Sequence, residues 1–137
     1  MTSKPSTQEA LIYVMVTMSA VDRIISDAEL GKIGNIVSQL PAFDSFDPGK
    51  LVKTAEACGN ILSEDDGLDR ILTIIAERIP EKLHETAYAL AVEVAAVDRI
   101  VRDEEIRFLE LLRDRLGLDK LTIAAIERGA RARHQVA

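Results

Sequence analysis

The sequence predicts a compact all-α domain of six to seven helices with an internal pseudo-twofold repeat of helix–corner–helix units. Three observations carry this. Apolar residues recur at steps of three and four, no window alternates with period two, and capping residues or prolines interrupt the apolar runs at helix-length intervals. A central sheet is therefore excluded as an expectation. The 137 residues suit one domain with one core, covering 1–137.

Each element has its own local reason. Ser6 and Glu9 have capping-box spacing, so a first helix opens there and runs to about Val21. Leu11, Val14, Met15 and Met18 form one apolar face of it, and Ile12 and Val16 widen that face until most sides are buried. Ser26 and Glu29 repeat the box and open a second helix, with Leu30, Ile33, Ile36, Val37 and Leu40 on its inner stripe and Pro41 as its stop. Phe43 and Phe46 follow in a loop, where their rings plug the core edge. Asp47-Pro48 is an N-cap with proline at N1, opening a third helix that presents Leu51, Val52, Ala55, Cys58 and Leu62.

Ser63 is read as the cap of helix four, whose stripe is Leu68, Ile71, Leu72, Ile75 and Ile79, with Gly67 inside it. Pro80 ends that helix and leads into a fifth, facing the core with Leu83, Ala87, Leu90, Ala91, Val94 and Val97. Helix six is placed from about Asp103 to Leu116, with Ile106, Leu109, Leu112 and Leu116 inward and Gly117 just past its end. Asp119 caps a seventh, which is expected to bury Leu121, Ala124 and Ala125. Val21, Ile33, Ile36, Leu90, Val94, Val97, Leu109 and Leu112 are expected to share one core.

Composition narrows the function classes. Asp plus Glu number 23 against 17 Lys plus Arg, for a formal charge of −6, which repels nucleic-acid phosphates and anionic lipid headgroups. Aromatics are 4% and Trp is absent, so there is little on which bases could stack. The basic tail Arg128, Arg131, Arg133 and His134 reads as helix-terminal cations facing the negative end of the macrodipole. Cys58 is alone, which rules out an internal disulfide or a cysteine tetrad and makes it a small packing residue. The apolar run Leu11–Val21 is too short for a bilayer span and includes Thr17 and Ser19. The segment before it does not read as a secretion signal. A soluble, cytoplasmic protein that binds no nucleic acid and has no transmembrane segment is the expectation.

The most informative feature occurs twice. Ala20-Val21-Asp22-Arg23-Ile24-Ile25-Ser26-Asp27-Ala28-Glu29 matches Ala96-Val97-Asp98-Arg99-Ile100-Val101-Arg102-Asp103-Glu104-Glu105 at an offset of 76 positions (98 − 22). A shared taste for acidic helix starts explains Asp and Glu. It does not explain the common Ala-Val-Asp-Arg-Ile. One helix–corner–helix unit cannot bury its apolar face alone, so two copies, about 7–62 and 80–131, are expected to pack around a pseudo-twofold axis.

These tandem acidic corners resemble those of the TerB-like family, associated with tellurite resistance, over residues 7 to 130. That family's corner typically has Ala-Asp-Gly, two variable residues with one apolar, a capping residue, and a Glu three positions after the cap. Here Arg23 and Arg99 stand where the family has Gly, and Arg102 stands at the second cap position. The resemblance implies an all-helical stress-response domain without enzymatic activity. It also implies acidic corner residues suspected of binding metal, which carries over to Asp22, Asp27 and Glu29 and, through the repeat, to Asp98, Asp103 and Glu105.

Carboxylates of this kind suit a hard divalent cation, Ca²⁺ or Mg²⁺. Their spacing works partly against a single site, since Asp27 and Glu29 are two apart at a helix start and point about 200° from each other. The alternative is purely structural: Glu29 closes a capping box, and the other acids complement helix N-termini. Catalytic motifs are missing from the sequence. His84 and His134 are isolated, with His84 read as a surface helix residue, and there is no His-Glu-x-x-His segment or glycine-rich phosphate loop. Two function classes remain, a stress-response module with a cation at its corners and a helical interaction module that docks a protein partner or forms a homodimer.

Overall fold

Two largely apolar helices organise the rest. The computed structural model of the chain describes residues 4–20, 24–98 and 102–137, and at residue 98 the backbone alone. Helix α1 (Thr7–Ala20) buries every residue from Ala10 to Met18 and also Ala20. Helix α5 (His84–Asp98) buries Ala87, Tyr88, Leu90, Ala91, Val92 and Ala95. Helix α1 has no polar face to turn to water and α5 turns mainly Glu85 and Glu93 outward, so each is largely surrounded. They pack on each other, and the amphipathic helices cover them.

Helix α2 (Asp27–Gln39) and helix α3 (Leu51–Leu62) lie against α1. Helix α6 (Asp103–Leu116) and helix α7 (Lys120–Arg133) lie against α5. Helix α4 (Gly67–Arg78) bridges the two sets, touching α1, α3 and α6. Among the described residues there are seven α-helices, three short 3₁₀ turns and no strand. No helix among them is long and apolar enough to cross a membrane.

Local capping sets the boundaries. Ser6 and Glu9 close a reciprocal box at 2.9 and 3.1 Å, and Ser26 and Glu29 do the same at 3.0 and 3.2 Å. At the start of α6 only the glutamate half survives: the Arg102 N–H donates to Glu105 Oε1 at 3.3 Å, and the guanidinium at the cap position has no acceptor to offer in return. Gly117 ends α6 with φ 67°, in the left-handed region. Asp119 caps α7 by accepting from Thr122 N at 2.8 Å.

Ser63 does not cap α4. It closes α3, donating to Asn60 O at 2.7 Å, and α4 begins four residues later at Gly67. A Cβ at Gly67 would stand 2.3 Å from the Ile61 carbonyl oxygen and 2.7 Å from that of Leu62, so the α3–α4 connection folds over this residue too closely for any side chain. Pro48 opens a 3₁₀ turn that leads into α3 rather than α3 itself, with Asp47 accepting from Gly49 N at 2.9 Å. Phe43 is buried, and its ring meets Phe46 edge-on at 6.4 Å between centroids.

Several inward faces differ from the expected ones. On α7, Leu121, Ala124 and Ala125 are all exposed, Leu121 by 81%. The face that meets α5 is instead Ile123, Ile126, Glu127 and Ala130, the alternative i, i+3, i+4, i+7 row, which brings two β-branched side chains to the interface. On α6, Phe108 is fully buried while Ile106 is 45% exposed and Leu109 only partly buried. Val52 and Leu40, both expected inside, are exposed. Of the expected core, Ile33, Leu90 and Leu112 are buried, and Ile36, Val94 and Leu109 pack against that cluster. Val97 is half-buried, and Val21 lies outside the described residues.

His84 is likewise not a surface residue. It is half-buried at the start of α5, with Nε2 3.0 Å from the Ile79 carbonyl and Nδ1 3.2 Å from that of Leu116. These are end carbonyls of α4 and α6 that lack helical partners, and the ring N–H donates to one or the other according to the tautomer.

The basic end of α7 is tied to α5. Arg133 Nη2 lies 2.6 Å from Glu93 Oε1, and His134 Nε2 meets the other carboxylate oxygen. Burial works against the charge on Glu93, but the hydrogen bonds from Arg133 and His134 outweigh it and hold the carboxyl below its usual range. A depressed carboxylate contributes stability that is present above about pH 4.3 and is lost as pH falls through the lowered value. Between pH 6 and pH 3 the unfolding free energy from urea melts should therefore drop further in the parent than in Glu93→Gln, by up to about 1 kcal/mol. Parallel loss in both proteins would show that this tie contributes nothing.

Candidate functional site

The two glutamates at the third helical position of α2 and α6 come to one place. A side chain at that position leans back over its own helix start, which is why it can cap the backbone there. Because α2 lies on α1 and α6 on α5, the starts of α2 and α6 flank a cavity of about 30 Å³. Ile33 and Ile36 from α2 and Val94 and Val97 from α5 form its apolar wall. Its polar lining is Glu29, Lys32, Ser19 and Glu105.

Glu105 is only 6% exposed and is one of few buried polar residues among the described ones. Its Oε1 receives the Arg102 N–H, as Glu29 Oε1 receives the Ser26 N–H. Each carboxylate thus caps a helix and faces the cavity at once. Lys32, exposed at the rim, sits one turn beyond Glu29 on the same face of α2 and brings a positive charge to the pair. Its volume exceeds the roughly 15 Å³ that a single water requires.

The other corner carboxylates go elsewhere. Asp27 faces a separate, larger hollow between α1, α2 and α3, as its angular distance from Glu29 demands. Asp103 is exposed at the first residue of α6. Asp22 lies outside the described residues, as does the side chain of Asp98. Among the described residues no three His, Cys, Asp or Glu side chains gather in a metal-binding group. Lys32 was legible as the i+3 neighbour of Glu29, whereas nothing in the sequence pointed Ser19 toward this cavity.

Two other reactive side chains are held inert. Burial pushes the Cys58 thiol up to about 12 against a smaller opposing effect of the Thr17 hydroxyl, 3.5 Å away, so it is a protonated packing group. Burial also pushes Tyr88 up to about 12, helped by its hydrogen bond to Glu127 Oε2 at 2.6 Å. Arg113 approaches the same oxygen at 3.8 Å, and the trio joins α5, α6 and α7. It is a cross-brace between helices.

Architecture and site together define a helical domain with a small two-carboxylate cavity lined from the starts of α2 and α6. Comparison of the chain with protein-family models, with curated proteins and with solved structures finds no match.

Proposed function

We propose that this chain is a non-enzymatic stress-response module of the TerB-like kind, built from two related halves and taking a divalent cation between Glu29 and Glu105. The observation that carries this reading is the convergence of those two glutamates, 76 positions apart in equivalent places of the repeat, on one cavity. Helix boundaries support the repeat, since α2 and α6 begin at Asp27 and Asp103, at the same offset, and α3 lies on α1 as α7 lies on α5. The halves have diverged, because Lys32 is exposed where its counterpart Phe108 is fully buried.

The donors fit a hard cation. Carboxylate oxygens from two helices, the Ser19 hydroxyl and water supply the oxygen ligands that Ca²⁺ or Mg²⁺ takes. Lys32 opposes the bound ion, so binding is modest and Lys32→Ala strengthens it. Melting curves of the parent in chelator and in millimolar Ca²⁺, Mg²⁺ or Mn²⁺ provide the test. A ligand selective for the folded state raises stability by about 2.7 kcal/mol at a hundredfold excess over its dissociation constant. Glu29→Gln with Glu105→Gln keeps an acceptor for each cap and should lose the response. An unchanged parent melting temperature, with no calorimetric heat, rejects the cation.

A further inference from the structure

The larger hollow, about 690 Å³ between α1, α2 and α3, leaves apolar surface in water. Ile24 is 92% exposed and Val52 52% exposed on its walls, with Leu30 and Ala55 between them. Asp27 stands on one wall and Glu56 on the other, and among the described residues its lining carries no Lys or Arg. Its chemistry limits the occupant. Among the described residues no strand offers an edge for β-augmentation, no aromatic lines the hollow for a polyproline helix, and no cation lines it for a phosphorylated peptide. An amphipathic helix with basic residues is the mode that remains.

The chain carries such a helix. Leu121, 81% exposed, continues through exposed Ala124 and Ala125 to exposed Arg128 and Arg131 along the outer side of α7, with Lys120 beside it. This surface is the apolar row that α7 does not spend on α5. We propose that the outer face of α7 in one copy docks in the α1–α2–α3 hollow of a second, with Leu121 seated against Val52 and Ile24 and the arginines beside Asp27 and Glu56. One such contact is small. The proposed pairing is two-fold, so that each copy gives its α7 and receives its partner's and the contact is made twice, as in closed symmetric dimers.

Sedimentation equilibrium of the full chain should show a concentration-dependent dimer that weakens with salt, because exposed charges are screened. Leu121→Asp and Val52→Asp should each raise the dissociation constant by at least about tenfold with the helical circular dichroism retained. Mixing the two variants leaves one intact contact in each mixed pair and should restore part of the association. Loss of association through misfolding would show no such recovery. Glu56→Arg should weaken pairing and Arg128→Glu in the same chain should recover it. A monomer at millimolar concentration overturns the proposal, as does a dimer indifferent to both apolar substitutions. So does a chain that stays monomeric while binding a synthetic basic amphipathic helix in this hollow, since the occupant would then be a different protein.

Discussion

Replacing Phe108 by Ala is expected to lower the stability of the domain by about 3–5 kcal/mol, the usual cost of deleting a fully buried ring. Phe108 is 0% exposed on a helix otherwise rich in charge, and it belongs to the same core as Leu112, Leu116 and the central helices. Removing the ring forfeits its transfer free energy and leaves a hole that rigid neighbours on α1 and α5 close only in part. Leu109→Ala, at a partly buried site, should cost clearly less. Urea denaturation of the two variants side by side measures both. A larger loss at Leu109 than at Phe108 would mean that the orientation of α6 is wrong.

Gly67→Ala is expected to destabilise by about 3 kcal/mol, at the upper end of the cost of overpacking. The methyl would meet backbone, 2.3 Å from the Ile61 carbonyl oxygen, and backbone cannot swing aside as the tip of a side chain does. The α3–α4 connection must open, carrying Leu68 and Ile71 away from their packing. At an ordinary helical position the same change adds stability, because alanine is the better helix former by about 1 kcal/mol. Gly59→Ala, where an added Cβ meets nothing within 4 Å, is the internal control and should be neutral or stabilising. Equal melting temperatures for the two variants would contradict the close approach.

The contrast between these two glycines shows where local reading stops. Both sit in helical context, and only the fold of α4 back over the end of α3 distinguishes them. The candidate site divides in the same way. Glu29 and Glu105 were legible as third-position glutamates of helix starts, and Asp27 was legible as pointing away from Glu29. That the two glutamates share a cavity depends on α2 packing on α1, α6 on α5, and α1 on α5, which no local pattern states.

By itself the sequence determined the helical class and most helix boundaries, since capping boxes, prolines and a left-handed glycine act within a few residues along the chain. It also determined that the first helix is surrounded, because a helix with no polar face has no other option. Only the tertiary structure decided which side of α6 and α7 turns inward. Each has apolar residues on more than one face, so Phe108 prevails over Ile106, and Ile123 with Ile126 over Leu121, only once neighbouring helices lie on that side. Burial is a property of the partner as much as of the helix, and the partner is distant in sequence.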